Sequence, residues 1–384
     1  MDVFQYFDPV DFSAFSFQEN LNKNSLGSWI EKSNKKLQIT GMHRLEVAIF
    51  GVSAGNNSLT VDYENAPDKI RAELYNLSNF DLKLNIADFG NLKTAKTKRG
   101  LQLALRDIIE YFGELNIKTI VIGGSQELSI GISEAFKNKS FFTLTSVDSF
   151  LDVKKGKEIL NSTNYLSSIF SRQSNLFQYS LLGYQKLLVP DVLFSKTRGI
   201  GVHYRLGLLR ENLSISEPVL RNTDFLTFDI GAVKYADAPG TKYINPNGLR
   251  SEEACQLAKY AGLSEKLCVF GLFDVDVDND RNNLTVKLSA QIIWYFLDAL
   301  VHTQGNKPEY TENRITYKVE VKELEKPLVF LQCQHTSRWW MKIESISGES
   351  LLVACSEDDY RQASNNEIPE LWLKYVQKID EFSK

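Results

Sequence analysis

Short runs of consecutive apolar residues recur along the first three quarters of the chain, and segments with helical periodicity separate several of them. An apolar run without alternation is typical of a strand that is covered on both faces. Strands and helices in alternation predict a doubly wound, mostly parallel α/β sheet with helices on both faces. The predicted strands are 45–52, 82–89, 119–122, 141–147, 180–182, 199–202, 225–230 and 268–275, and the predicted helices are 66–77, 99–115, 128–136, 251–261 and 286–301.

The pattern changes at both ends of the chain. Residues 1–40 are polar, lack clear periodicity and are interpreted as an N-terminal extension that packs on the core or its neighbours. Residues 41–304 form the predicted α/β domain. Beyond them, 315–321 alternates like an antiparallel strand, 328–331 is apolar and 368–382 has helical spacing, which predicts a small α+β appendage over 305–384.

Two local signals in these predicted units concern the ends of one helix and a cluster of large apolar residues. Ser251 and Gly262 are expected to begin and end one helix, as its N-cap and its stop signal. In the appendage, Trp339, Trp340 and Met341 predict either an exposed patch for a partner or aromatic side chains buried against their own domain. The sequence does not decide between the exposed patch and the buried aromatic side chains.

Composition narrows the class of partner. Hydrophobic residues make up 43% of the 384, and 48 acidic against 44 basic side chains give a formal charge of −4, which provides no basic field for nucleic acid. The four cysteines form no metal-binding or disulfide pattern. The acidic start is unlike a signal peptide, and we expect no stretch of the roughly 18 apolar residues that a membrane helix needs. We therefore expect a cytoplasmic protein with neither nucleic acid nor a membrane as a partner.

Three polar segments follow predicted strands: Gly123-Gly124-Ser125-Gln126-Glu127, Asp148-Ser149-Phe150-Leu151-Asp152, and Asp229 to Gly240. Ligand sites in parallel sheets lie at the carboxyl ends of the strands, so these segments are the candidate site. The two glycines lack the rest of a phosphate-loop signature and favour a tight strand-to-helix turn. The aspartates from 274 to 280 do not fit a calcium loop, because the sixth position is Asn279.

The order of these segments resembles the ureohydrolase superfamily, which includes arginases, agmatinases and formimidoylglutamases. The first segment echoes the family's GGDHS, the second its DAHxD, and 227–240 its SxDxDxxDPxxAPG. Residues 66–71 are similar to GPxxIR and 88–91 to DxGN, so the resemblance covers about 45–300. It implies an arginase-like fold, a homo-oligomer, and two manganese ions held by two histidines and four aspartates, with a bridging hydroxide that attacks an amidine or guanidine carbon.

Carried over residue by residue, the resemblance implies a degenerate centre. At the first metal, Gln126 stands where the family has histidine, whereas Asp148, Asp152 and Asp229 match. At the second, Phe150 replaces a histidine and Gly231 an aspartate, and neither offers a side-chain donor. We therefore expect manganese at one weak site at most and no two-metal cluster.

The resemblance also implies positions that would contact a substrate. Asp274 falls where the family has a glutamate that grips the substrate, and Glu253 lies on a helix start similar to GGLxxxE. Both would position a small cationic amidine or guanidino compound if the protein is active. Lys234 stands where the family usually has aspartate. His203 lies near a strand end, either to reach the cleft or as a structural hydrogen bonder.

Three hypotheses remain. The first is a formimidoylglutamase-like protein whose hydrolysis of amidine C–N bonds is lost or altered. The second is a working hydrolase with one metal at Gln126, Asp148, Asp152 and Asp229. The third is a non-catalytic scaffold that binds a partner through the cleft and the appendage. The matched aspartates also have an ordinary interpretation, as buried carboxylates that cap loops or pair with Lys154, Lys155 or Lys234.

Overall fold

The computed structural model describes residues 2–10, 23–33, 41–53, 65–303, 314–344 and 350–382. The predicted boundary between the α/β domain and the appendage falls outside these residues. Ten strands of the described chain form one sheet in the order β1-β4-β3-β5-β10-β9-β6-β7-β8, with β2 also on β4. The strands are β1 Phe7–Asp8, β2 Glu31–Lys32, β3 Val47–Gly51, β4 Ile86–Leu92, β5 Lys118–Ile122, β6 Phe142–Val147, β7 Leu176–Tyr184, β8 Gly201–Arg205, β9 Phe225–Asp229 and β10 Val269–Phe273.

Every neighbouring pair in this sheet is parallel except β1 with β4. Successive residues of a strand point to opposite faces, and both faces are buried. In β3, Val47 and Ile49 belong to one core, whereas Ala48 and Phe50 belong to the other. This is why the strands appear in the sequence as unbroken apolar runs, and the predicted parallel α/β fold is confirmed.

Helices cover the two faces. They are α1 Ala66–Asn76, α2 Lys98–Glu114, α3 Ser129–Glu134, α4 Leu166–Arg172, α5 Leu206–Glu211, α6 Ser216–Arg221, α7 Ser251–Gly262 and α8 Leu284–Val301. Helices α1, α7 and α8 bury apolar side chains in the first core, and α2, α3 and α4 in the second. Helix α8 is long and apolar enough for a membrane span, contrary to our sequence expectation, but 67% of that stretch is buried inside the protein. We interpret α8 as a core helix.

A buried ion pair links α1 to the sheet. The fully buried Arg71 donates to Asp88 over 2.7 Å and to the carbonyl oxygen of Gly90 over 2.7 Å. Tyr75 donates to the same carboxylate over 2.6 Å. Arg71 lies in the segment similar to GPxxIR, and Asp88 and Gly90 lie in the one similar to DxGN. The N-terminal extension packs here as well, since β1 and β2 both pair with β4.

The C-terminal appendage is a four-stranded antiparallel sheet with two helices. Its strands are β11 Arg314–Val319, β12 Leu328–Cys333, β13 Trp339–Glu344 and β14 Ser350–Cys355, in sequence order, followed by α9 Glu357–Ser364 and α10 Glu370–Phe382. Trp339 and Trp340 are 6% and 8% exposed. The ring of Trp339 stacks on Tyr360, and Arg221 lies over Trp340. The buried alternative for this aromatic pair is therefore confirmed.

The amide of Asn222, just after α6, joins the appendage to the α/β domain. It donates to the carbonyl oxygen of Ala354 over 2.8 Å and accepts from the amide nitrogen of Ala354 over 2.9 Å. Arg221 donates to the carbonyl oxygens of Trp339 and Cys355. The side chain of Asn222 thus forms the two hydrogen bonds that a further strand beside β14 would form with Ala354.

Element boundaries differ from the predictions where side chains are not diagnostic. The strand predicted at 180–182 extends over Leu176–Tyr184, because Gln178 and Tyr179 are buried in it. Helix α7 is capped at Arg250, whose amide donates to Glu253, and Ser251 is its first residue. The helix ends at Gly262 as expected. The glycine serves close packing, however, because a β-carbon there would lie 2.2 Å from the carbonyl oxygen of Phe296.

We predict that Asn222→Ala lowers the free energy of unfolding by about 2 kcal/mol, because the buried amide and carbonyl groups of Ala354 both lose their partner. Equilibrium denaturation monitored by tryptophan fluorescence measures the change. Asn76→Ala is the matched control, since its exposed amide makes a single hydrogen bond to Ala72. Equal effects of the two substitutions would contradict the junction role of Asn222.

Candidate functional site

Three carboxylates meet because their strands are neighbours in the sheet. Asp148 follows β6, Asp229 ends β9 and Asp274 follows β10, and the sheet order places β9 between the other two. Parallel strands present their carboxyl ends at one edge, so the three side chains arrive together. Asp152 comes from the same loop as Asp148. All four line one cavity of about 510 Å³.

Asp148, Asp152 and Asp229 form the tightest part of this group. Each offers a carboxylate oxygen, and the three oxygens lie within 4.8 Å of one another. Burial raises the pKa of Asp148 and of Asp152 well above the ordinary value, and the neighbouring carboxylates raise both further. The pKa of Asp229 is also raised, first by burial and then by Asp148. Such a group is poised to hold protons or a cation.

Two of the carboxylates also cap their own loops. One oxygen of Asp148 accepts from the amide nitrogen of Phe150 over 2.8 Å. One oxygen of Asp229 accepts from the amide nitrogen of Gly231 over 2.7 Å. The loop-capping alternative therefore applies to these two residues, and it holds together with their place in the cavity. Their remaining oxygens are the ones that can face a cation.

Gln126 does not line the cavity, although its backbone amide donates to Asp274 over 3.4 Å. Its side chain is fully buried, and its nitrogen donates to the hydroxyl of Tyr165 over 3.2 Å. The Tyr165 hydroxyl lies 3.3 Å from the hydroxyl of Ser146. The amide oxygen of Gln126 has no hydrogen-bond partner within the described residues. The structure thus brings the three aspartates together in the cavity, and carboxylate oxygens are ligands that a hard divalent cation accepts.

Two residues of the cavity lining offer no side-chain metal ligand. Phe150 lines the cavity and packs edge-on against Tyr243, with ring centroids 4.8 Å apart. Gly231 also lines it and presents no side chain. The backbone amides of these two residues donate to Asp148 and Asp229. At these two positions the cavity lining therefore consists of an aromatic ring and backbone.

A strained turn holds Asp274 at the site. Its φ of 61° is in the left-handed region, and its amide nitrogen donates to the carbonyl oxygen of Gly124 over 2.9 Å. Gly123 and Gly124 also have positive φ, and a β-carbon on Gly123 would lie 2.7 Å from Pro67. The tight turn expected for the two glycines is thus what orients Asp274 toward the cavity.

The structure does not bring every sequence candidate to the cavity. Glu253 accepts from the amide of Arg250 and lies 3.9 Å from Arg210, so its carboxylate caps α7 and does not line the cavity. Lys234 pairs with Asp237 over 3.2 Å and does not neutralise Asp229. The ring of His203 lies 3.0 Å from the hydroxyl of Thr197, and burial lowers its pKa to about 4. It is a structural residue.

Several lining residues were not found from the sequence. They come from three loops that follow strands, and they share no motif: Lys155, Glu158, Asn161, Leu188, Val189, Leu193, Thr241, Lys242 and Tyr243. Tyr165 was also missed, although it supports Gln126. Only their position shortly after strand ends could have indicated them, since side-chain type alone carries no signal for a pocket wall.

Comparison with known proteins agrees with this architecture. A family model described as arginase family matches residues 45–298. A formimidoylglutamase of Streptococcus gordonii is 25% identical over 250 residues, which are 60% of this chain and 75% of that protein. One of Cupriavidus pinatubonensis is 23% identical over 278 residues, covering 65% of this chain and 84% of the relative.

Solved structures show the same fold. Formimidoylglutamase from Bacillus subtilis superposes with a TM-score of 0.63 at 16% identity, over 73% of this chain and 93% of that one. Formiminoglutamase of Trypanosoma cruzi with Mn²⁺ gives a TM-score of 0.62 at 16% identity, over 68% and 96%. The α/β domain therefore accounts for nearly the whole of these neighbours.

We predict that Asp152→Asn stabilises the protein in the presence of a chelator, and increasingly so as the pH rises from about 4, the ordinary aspartate value, toward the raised folded-state pKa of Asp152. The folded-state pKa of Asp152 is raised, so the folded protein holds a proton that the unfolded chain releases near pH 4. The free energy of unfolding of the wild-type protein then falls as the pH rises through this range. The Asp152→Asn variant avoids this fall, because its side-chain amide carries no charge. Thermal unfolding across the pH range measures it, and a gap that shrinks as the pH rises would contradict the buried repulsion.

Proposed function

The chain belongs to the arginase family, and we propose that its site holds at most one divalent cation, so that hydrolysis of amidine C–N bonds is lost or much altered. The relatives named above are formimidoylglutamases, and the Trypanosoma cruzi neighbour is described with Mn²⁺. Two metals act together by polarising the substrate and activating one nucleophile. A centre limited to one cation lacks that cooperation.

One observation carries this proposal: Phe150 and Gly231 occupy the cavity wall with a hydrocarbon ring and a bare backbone. Their amide nitrogens donate over 2.8 Å to Asp148 and 2.7 Å to Asp229. A donor hydrogen directed at a carboxylate oxygen competes with a cation for the same lone pair. A second ion would also be repelled by the first, and Phe150 and Gly231 add no carboxylate or imidazole to offset this repulsion.

A single cation remains compatible with the site. One carboxylate oxygen each from Asp148, Asp152 and Asp229 lies within 4.8 Å of the others, and the oxygen of Gln126 is buried with no hydrogen-bond partner in the described part of the chain. Hard cations such as Mn²⁺ accept oxygen ligands of this kind. Replacing histidine by glutamine at position 126 keeps a neutral donor but exchanges nitrogen for a weaker oxygen, which supports weak binding.

We predict that purified protein loaded with manganese and then desalted retains fewer than two ions per chain, because Phe150 and Gly231 provide no ligands. Elemental analysis measures the number of ions per chain, and titration calorimetry measures their affinity.

Asp229→Asn is expected to weaken the affinity for the single ion roughly 100-fold, since it removes one of three anionic ligands. Release of ammonia, formamide or urea from formimidoylglutamate, agmatine and arginine measures hydrolysis, and we expect none above background.

A back-substituted chain provides the matched control. Gln126→His, Phe150→His and Gly231→Asp together restore the family's donors, and a β-carbon at Gly231 would meet only the carboxylate of Asp229, at 3.0 Å. This variant should bind a second manganese ion. The proposal is wrong if the unaltered chain binds two ions tightly and releases product from one of the three substrates.

The surviving carboxylates favour a second candidate, a hydrolase that works with one metal. Such a cation would supply Lewis-acid polarisation, while Asp274 would position a cationic amidine or guanidino group through its carboxylate. Turnover that disappears in both Asp148→Ala and Asp229→Ala, with folding intact, would support it. Unchanged turnover in these two variants would exclude it.

A further inference from the structure

The mouth of the cavity carries an unusual surface. Three loops that line the cavity, 154–164, 186–193 and 241–244, also display large apolar side chains to solvent. We call these the mouth ring: Ile159, Leu187, Val192, Tyr243 and Ile244. Their side chains are between 50% and 85% exposed, and four of them are the most exposed large apolar side chains of the described residues.

Each member of the mouth ring lines the cavity itself or is the chain neighbour of a residue that does. Ile159 follows Glu158, Leu187 precedes Leu188 and Val192 precedes Leu193, all of which line the cavity. Tyr243 lines it directly and Ile244 follows. Clustered exposed apolar groups of this kind mark an interaction surface, whereas scattered ones do not.

The charges of the same loops identify the partner. They carry five lysines against two acidic residues, in a chain whose net charge is −4. One acid, Asp191, pairs with Lys186. Exposed apolar side chains among lysines suit the surface of an anionic bilayer. The apolar side chains can insert at the boundary of the lipid acyl chains, and the lysines can pair with the lipid phosphates. The lysines are Lys154, Lys155, Lys157, Lys186 and Lys242.

Other occupants fit less well. A second copy of the chain that docked through the same ring would bring like charges face to face. A cationic peptide would be repelled by the lysines before it reached the aspartates that line the cavity. We propose that the mouth ring is a peripheral docking surface for anionic lipid membranes, which places the cavity opening against the bilayer. This differs from the expectation of no membrane partner, which rested on the absence of a spanning segment.

Vesicle flotation of the full-length protein tests the proposal. We expect binding to vesicles with roughly one third phosphatidylglycerol to exceed binding to pure phosphatidylcholine vesicles about tenfold, because phosphate charge adds to apolar insertion. Raising the salt concentration from about 0.1 M to 0.5 M should weaken this binding.

Two sets of variants separate the apolar and the electrostatic contributions. Ile159→Ser with Ile244→Ser should lower binding about tenfold, and Lys155→Gln with Lys157→Gln and Lys242→Gln should remove the preference for anionic lipid.

Leu82→Ser with Leu115→Ser is the matched control, since both side chains are exposed and neither adjoins a residue that lines the cavity. Equal loss in this control, or equal binding to both vesicle types, would overturn the proposal. So would a change in oligomer mass caused by the ring substitutions without lipid binding, which would assign the ring to a second copy. Binding to soluble polyglutamate that is as strong as to vesicles would assign it to an acidic protein. None of these outcomes depends on the cation content of the cavity.

Discussion

The mutual repulsion of carboxylates at the ends of three adjacent parallel strands is the constraint around which the site is arranged. The sheet order β10-β9-β6 fixes their positions, and partial or full burial reduces their contact with solvent. A fold tolerates such a concentration of negative charge only if protons, hydrogen-bond donors or cations compensate it. The backbone amides of Phe150 and Gly231 supply part of that compensation, so the loops and the charges stabilise each other.

The same amides give two of the carboxylates a structural role. Because donors satisfy one oxygen of Asp148 and one of Asp229, each residue caps its own loop, and this role does not require a metal. Gln126 differs, because its amide nitrogen donates to Tyr165 whereas its oxygen finds no hydrogen-bond partner among the described residues. Two of the aspartates thus act as loop caps, whereas the polar side chain of Gln126 is only half satisfied.

The sequence predicted the layered fold because strands with two buried faces must be apolar at every position, and helices between them carry a periodic stripe. It also predicted Asp148, Asp152 and Asp229 at the carboxyl ends of strands, where ligand sites of parallel sheets lie, whereas Asp274 was indicated only by the family resemblance. It failed for Glu253, whose local capping contact competes with any role in the cavity. It also failed for the cavity walls, because loop side chains such as Leu188 and Tyr243 acquire their position from tertiary packing alone.

The junction at Asn222 has a consequence for how the appendage behaves in solution. The outer strand of a small antiparallel sheet exposes unpaired backbone groups, which can recruit another chain and start aggregation. By bonding both polar groups of Ala354, next to the last residue of β14, Asn222 occupies this end of the edge and takes these two groups away from intermolecular pairing. One side chain thereby shortens the stretch of backbone on which another chain could align.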